Sequence, residues 1–445
     1  MKISGWLWVW VFGISACTSF QTVHLHGQLK DMGTQNVIMR YNGAAALLGD
    51  SRDIILHTDT EGNFDTILPL ERPEYYSINR NTLWLEPGDD LKVMITQDNR
   101  EAQFQGQGAN ANMYMKDRLF PKGGSYLKGG TNVQADFPQT RKLITELAAE
   151  REKQLEDLQG VSAEFKQLEK ARIYADVINS YFSYSSYASE FAGKTGEEVM
   201  KLEQKYLSEA AAEIKEKVRF LNDERFLDVA VVRDILFYRL DSAYAVIFEE
   251  YIPGDRCREL YDSYQKVSEL RHGLNQQVVD QIREYIGQMK QADFATELEE
   301  KVKQAARLLP GQPAPDFVMT DTAGQEVRLS DFKGKVIYID LWATWCGPCI
   351  QESPAFSALS VKYPDIQFLQ ISRDEQRRAW LDYVSHKKSP LPQYNSVDLR
   401  LVEGWQLFYI PRFILIDKDQ KIIDAYAPRP SSEEIAGVLD VCLKP

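Results

Sequence analysis

The stretch Trp345-Cys346-Gly347-Pro348-Cys349 follows directly on the apolar run Val336-Ile337-Tyr338-Ile339-Asp340-Leu341-Trp342-Ala343. A run of that length and composition reads as a buried strand. Two cysteines three residues apart at its end, with Gly-Pro between them, read as the opening turn of a helix. There, unpaired backbone N–H groups and the helix dipole favour a thiolate at the first cysteine. Cys346 is therefore the candidate nucleophile for thiol–disulfide exchange. Cys349, one turn later, is the resolving thiol that attacks a mixed disulfide and releases the product. The competing reading is half of a zinc site. Tetrahedral zinc needs two further ligands, usually from a second paired motif, and the sequence offers none. No metal site and no cofactor are expected.

The C-terminal part alternates between the two periodicities: strand 335–341, helix 347–362, strand 366–371, helix 375–388, strands 412–416 and 421–426, helix 431–443. That order predicts an α/β layer with a parallel core and an antiparallel edge hairpin. From about Gly311 onward the chain resembles the thioredoxin-like family, and within it the TlpA/ResA type of membrane-attached disulfide reductases. The residues that carry the resemblance are Gly311-Gln312-Pro313-Ala314-Pro315-Asp316-Phe317, then Gly324 with Val327-Arg328-Leu329-Ser330, and Lys333-Gly334-Lys335. Trp342-Ala343-Thr344-Trp345-Cys346-Gly347-Pro348-Cys349, Glu352, Pro354 and Ile410-Pro411 complete it.

The resemblance implies roles for further residues. Asp340, six before Cys346, matches a buried aspartate of the family. A carboxylate beneath an apolar sheet has a raised pKa and can exchange a proton with Cys349; the alternative is a strand-end aspartate bonded to water. Glu352 matches an acidic residue near the family's active site, or is an exposed helix glutamate. Pro411 matches the family's cis-proline, whose preceding backbone, here Ile410, pairs with an incoming substrate strand. Trp345, Gly347 and Pro348 complete the docking surface, while Trp342 reads as core. Arg412 departs from the small hydroxyl residue common after that proline, which points to an acidic partner. The Gly-Pro dipeptide, shared with reducing thioredoxins, implies a low potential of about −270 mV. The partners implied are disulfide-bearing protein substrates and an upstream membrane or thioredoxin-type electron donor.

The N-terminus reads as an export signal. Met1-Lys2 is a short positive start, and the apolar run from Trp6 to Ala16 is too short to span a bilayer as a helix. It ends in Ile14-Ser15-Ala16-Cys17, which resembles the bacterial lipobox, so Cys17 is the expected lipidation site and the membrane a partner through that anchor. Thr18, where an aspartate would signal inner-membrane retention, implies the outer membrane of a Gram-negative envelope, facing the periplasm. A reactive dithiol suits such a compartment. Cys257 and Cys442 stand alone, as small apolar residues or as a disulfide with each other.

Ahead of the α/β part lie two regions of different character. Strands are predicted at 23–29, 37–41, 54–58, 63–69, 74–78, 83–85, 91–96 and 102–105, separated by turn signals such as Glu86-Pro87-Gly88-Asp89. They suggest an antiparallel β-sandwich. From 139 to 308 proline almost disappears and apolar residues recur at helical steps, giving helices at 139–158, 161–191, 196–219, 224–251, 255–271 and 274–308. The expected organisation is a signal segment 1–17, a β-sandwich 20–110, an all-α region 111–308 and a thioredoxin fold 309–445. The tyrosines at 181, 184 and 187 read as packing. His386 and the other four histidines have no partner at catalytic spacing.

A net charge of −13 without a basic stripe argues against nucleic acid as a partner. Two further function classes are open. A thiol peroxidase of the peroxiredoxin type would need Pro and Thr seven and three residues before its cysteine, where Ile339 and Ala343 stand. A cell-envelope binding or scaffold protein would use the front two regions, with the redox fold as an accessory.

Overall fold

A computed structural model describes residues 22–116, 124–134, 136–191, 193, 195–237, 248, 251–387 and 389–443. The signal segment with Cys17 lies outside them. The described chain separates into two compact units. One takes in the residues up to Ala46 with Arg52–Gly254; the other takes in Leu47–Ser51 and the residues from Asp255 onward. No helix among the described residues is long and apolar enough to cross a membrane.

The first unit opens with eight strands: β1 (Thr22–Leu29), β2 (Asn36–Tyr41), β3 (Ile54–His57), β4 (Asn63–Pro69), β5 (Glu74–Ile78), β6 (Asn81–Leu85), β7 (Asp90–Ile95) and β8 (Gln103–Gly106). They match the alternation read from the sequence. They form two four-stranded sheets, β4-β1-β7-β8 and β3-β2-β5-β6. The arrangement differs from the wholly antiparallel one that the sequence suggests, because β1 pairs in parallel with β7. A tight hairpin forces antiparallel pairing, but the long connection from β1 to β7, through strands of both sheets, leaves either direction open. At Gly27 φ is +136°, and a Cβ there would lie 1.9 Å from the Val93 carbonyl oxygen. Only glycine permits this approach of β1 to β7.

Helix α1 (Ala109–Lys116) covers β6. Its Asn112 side chain accepts from the Trp84 N–H and donates to the Trp84 C=O, both at 2.9 Å, which satisfies an edge strand's backbone. Helices α2 (Phe137–Asp157), α3 (Ala163–Phe191), α4 (Glu197–Glu209), α5 (Ala211–Phe220) and α6 (Ala230–Phe237) follow. The single helix expected over 196–219 is divided at Ala210. Tyr181 and Tyr184 are core, as expected: both rings pack on Phe137, at 5.7 and 5.2 Å between centroids.

The second unit begins with α7 (Asp255–His272), α8 (Gln276–Ile286) and α9 (Ala292–Ala306). The helix expected over 274–308 is two helices, the first capped by Asn275, whose side chain accepts from Val278 N–H at 3.0 Å. Leu274 and Leu308 pack into one cluster with Phe317, Ile337, Ile339 and Leu341. The helices after Gly254 therefore group with the C-terminal fold, whereas the sequence placed the division at 308/309. The chain continues through β9 (Val318–Asp321), β10 (Glu326–Arg328), β11 (Val336–Trp342), α10 (Gly347–Lys362), β12 (Ile366–Ser372), α11 (Arg377–Lys387), β13 (Gln393–Asn395), α12 (Leu399–Gly404), β14 (Arg412–Ile416), β15 (Ile422–Asp424) and α13 (Glu434–Cys442). The sheet runs β10-β9-β13-β12-β11-β14-β15, with β11, β12 and β13 parallel and the flanking pairs antiparallel. β13 and α12 were not foreseen; three and six residues are too few to show a period.

Strand β11 lies inside this sheet and all seven of its residues are buried. Its alternation sorts them by face. Ile337, Ile339 and Leu341 join the cluster with Leu308 and Trp405. Val336 and Tyr338 pack with Phe356 of α10 and Leu439 of α13. Asp340 and Trp342 share the parity of Val336 and Tyr338, so Asp340 points to the face that α10 covers.

Candidate active site

The turn between β11 and α10 is fixed before the cysteines are reached. Asp374, buried just beyond β12, accepts from Thr344 N–H at 3.0 Å and from Thr344 Oγ1 at 2.7 Å. Ser372 Oγ donates to the same carboxylate at 2.6 Å. Asn395 on β13 holds the Asp374 carbonyl at 2.9 Å. The Arg373 N–H donates to the Trp342 carbonyl at 2.7 Å, and Cys346 N–H to the Ala343 carbonyl at 3.1 Å. This lock delivers Cys346 to the N-cap of α10, with Pro348 in the first turn, where its missing N–H costs nothing.

Cys346 and Cys349 are joined as a disulfide. Cys346 Sγ accepts from Cys349 N–H at 3.3 Å, so a thiolate at this atom would meet a backbone donor as well as the positive end of the helix. Cys349 is 1 % exposed, Cys346 6 % and the neighbouring Trp345 72 %. Gly347 and Pro348 are also exposed. The Ile410–Pro411 bond is cis, and Ile410 packs against the cluster of Trp342, Ala343, Cys346, Cys349 and Trp380. The residues read as docking surface thus surround the disulfide.

Asp340 lies beneath. It is fully buried, and Gln370 Nε2 donates to its Oδ2 at 3.1 Å, while Oδ1 has no hydrogen-bond partner among the described residues. Burial pushes its pKa up to about 7; the Gln370 bond and Lys387 oppose the rise and Glu352 adds to it. Asp340 and Cys349 line one small cavity of about 20 Å³ with Ser353, Gln370, Tyr383 and Lys387, room enough for a single water. This carboxyl group thus shares a cavity with the Cys349 sulfur. The sign of its effect on stability follows. Between its unfolded pKa of 3.8 and about 7 the folded state binds the extra proton, so stability is full below pH 4 and falls as pH rises to 7. At ~1.4 kcal/mol per unit the loss is about 4 kcal/mol. Asp340→Asn removes the titration, so the stability difference between variant and parent should grow by roughly that amount from pH 4 to pH 8. Urea unfolding at the two pH values reads it directly; parallel pH profiles would contradict the raised pKa.

Glu352 is buried but does not line that cavity. Its carboxylate accepts from Ser431 N–H at 3.1 Å and Oγ at 3.0 Å, with Arg429 at 3.7 Å. Its link to the chemistry is the field it places on Asp340. Arg412 is also buried. It stacks on Tyr426 at 3.8 Å and donates to the Ala425 and Gln406 carbonyls at 3.0 and 2.9 Å. It is turned inward and does not present a charge to an acidic partner, which corrects the role its position suggested. His386 is exposed, with Nδ1 on the Asp382 carbonyl. Cys257 and Cys442 do not pair with each other.

Several positioning residues were not visible from the motif: Asp374, Gln370 and Lys387, and the brace of the proline loop. Arg271 at the end of α7 stacks on Phe408 at 4.8 Å and its carbonyl accepts from Tyr409 Oη at 3.4 Å. Lys301 Nζ of α9 lies 5.0 Å from the centroid of the same Phe408 ring. The helices ahead of the C-terminal fold therefore hold the segment that leads into Ile410-Pro411.

An N-capping disulfide over a buried acid, beside a cis-proline, defines a thioredoxin-like dithiol centre. Comparison with known proteins agrees. The AhpC/TSA family matches residues 310–431. The thiol-disulfide oxidoreductase ResA of Bacillus cereus is 30% identical over 131 residues, 29% of this chain and 76% of the relative. That of Bacillus thuringiensis subsp. konkukian is 31% identical over 127 residues, 28% of this chain and 73% of the relative. A crystal structure of a candidate thiol-disulfide oxidoreductase from Bacteroides vulgatus shares 61% identity over 31% of this chain and 99% of its own, with a TM-score of 0.31. Through its C-terminal fold the chain belongs to the ResA/TlpA-type family of thiol–disulfide oxidoreductases, and it is an enzyme of that class.

Proposed function

We propose that the chain is an exported, lipid-anchored protein disulfide reductase that works through Cys346 and Cys349. The observation that carries this reading is the shared cavity of Asp340 and Cys349 beneath a disulfide flanked by exposed Trp345. In the reduced enzyme the Cys346 thiolate attacks one sulfur of a substrate disulfide. A Cys346–substrate bond forms, and the other substrate sulfur leaves as a thiolate and takes a proton. Asp340 then accepts the Cys349 proton across the cavity. The Cys349 thiolate attacks Cys346 Sγ, closes the internal disulfide and expels the second substrate thiolate. Two electrons pass from the enzyme dithiol to the substrate disulfide, and an upstream thiol donor restores the dithiol. Trp345, Gly347, Pro348 and the Ile410-Pro411 edge bind the substrate segment.

The peroxidase alternative lacks support in the residues: Ile339 and Ala343 are buried against the core where a peroxidatic loop would need proline and threonine. The direct test is reduction of insulin, or of a small aromatic disulfide, by the purified protein with dithiothreitol as donor. Turnover of peroxide without turnover of disulfide would favour the alternative.

The anchor is assigned to Cys17, after cleavage of the segment before it, with the protein on the outer membrane and facing the periplasm. Cys17→Ala should move the protein from the membrane fraction to the soluble periplasmic fraction. A variant that still sediments with membranes after carbonate washing would overturn this assignment.

A further inference from the structure

We propose that His24 and His26 of β1 and Asp90 of β7 form a binding site for a divalent transition-metal ion of the zinc and copper class in the first unit. The one juxtaposition that carries it is two imidazoles and a carboxylate meeting on one exposed sheet face, with a second carboxylate behind the first imidazole. His24 and His26 lie two apart on β1, so their side chains leave the same face. Parallel pairing sets His24 beside Asp90, and antiparallel pairing sets His26 beside Asp65 of β4. One ligand atom from each of His24, His26 and Asp90 lies within 4.8 Å of the others.

The distances suit a metal. Asp90 Oδ1 is 2.9 Å from His24 Nδ1 and 3.4 Å from His26 Nε2. Donors at ~2.0–2.2 Å from one ion stand about 2.9–3.4 Å apart. The two rings stack at 4.5 Å with 16° between their planes, so one ring must rotate about its side-chain bonds before the in-plane nitrogens of both meet on one ion. The far nitrogen of His24, Nε2, is 3.1 Å from Asp65 Oδ1. A ligating imidazole commonly donates its other N–H to a carboxylate, which fixes the tautomer and raises its basicity. Asp65 stands where such an orienting group is needed. Gly27, which alone allows the close approach of β1 to β7, keeps the two donor strands together. Lys92, opposite His26 on β7, is the cation nearest in register, and two carboxylates outweigh it. Two imidazoles with a carboxylate select zinc or copper over calcium or magnesium, which prefer oxygen throughout.

The test uses the untagged full chain in detergent with Cys346 and Cys349 kept as their disulfide. Cu²⁺ is the spectroscopic probe and Zn²⁺ the calorimetric one. One equivalent of Cu²⁺ should show hyperfine coupling to two imidazole nitrogens. His26→Ala should leave one nitrogen, and His26→Ala and Asp90→Ala should each weaken binding of both ions by more than ~100-fold. Asp65→Asn, acting only through His24, should weaken it by about 10-fold. All three are surface changes, and a circular-dichroism spectrum like the parent's verifies folding. His386→Ala should change nothing. Binding unaffected by these variants, coupling to a single nitrogen in the parent, or no binding below about 1 mM would overturn the site and leave only surface His–Asp ion pairs.

Discussion

Cys346→Ser is expected to abolish disulfide reduction, while Cys349→Ser should retain the first attack and accumulate a covalent enzyme–substrate adduct. The two cysteines differ in what surrounds them rather than in their own chemistry. Cys346 caps α10 and its sulfur meets the Cys349 N–H at 3.3 Å, so its charged form is favoured and it is nucleophilic near neutral pH. A serine hydroxyl in its place stays protonated there and cannot attack sulfur usefully. Cys349 is buried deeper, on the cavity that holds Asp340, and an outside disulfide meets it only through Cys346. Without Cys349 nothing resolves the mixed disulfide, so the Cys349→Ser variant should trap natural substrates for identification by mass spectrometry. Full activity in Cys346→Ser, or adducts formed equally by both single variants, would remove the assignment of roles.

The parts of this site legible in the sequence are those that local chain order dictates. An apolar run followed by Cys-Gly-Pro-Cys places a strand, a turn and a helix N-terminus in succession, and the family resemblance marks Asp340 within that run. What was not legible comes from distant strands. Asp374 reaches the turn and Gln370 reaches Asp340 because β12 lies parallel beside β11, and no local pattern marks them. An arginine after the cis-proline suggests an exposed charge, but two backbone carbonyls and the Tyr426 ring hold Arg412 inside the fold. The same limit hid His24 and His26. Their partner Asp90 is 66 residues from His24 and arrives on a parallel strand, whereas the sequence suggests an antiparallel sandwich. The grouping of α7 to α9 with the C-terminal fold was hidden for a related reason. The Pro-Gly signal at 310–311 looked like a linker, yet Leu274 and Leu308 on either side of α8 and α9 are packed into the C-terminal core.

Asp340→Asn should slow release of the mixed disulfide far more than its formation. The first attack should need no base, because the N-terminus of α10 favours the thiolate form of Cys346. The second needs Cys349 ionised in an apolar setting, which is costly unless a neighbouring group takes the proton. Asp340, with its pKa pushed up to about 7 by burial, is charged often enough at neutral pH to act as base and basic enough to be useful. General-base assistance is worth about 10²–10⁴ in rate, and the lower figure suits a thiol. In the parent, the release step should rise with pH and level off above about 7, as Asp340 becomes fully ionised. In the variant the proton must go to solvent, so the step should be ~100-fold slower at pH 7 and keep rising with pH where the parent is flat. Rapid-quench measurement of the mixed disulfide separates the two steps. Equal slowing of both, with no recovery at high pH, would make Asp340 a purely structural aspartate and would leave the cavity without a part in catalysis.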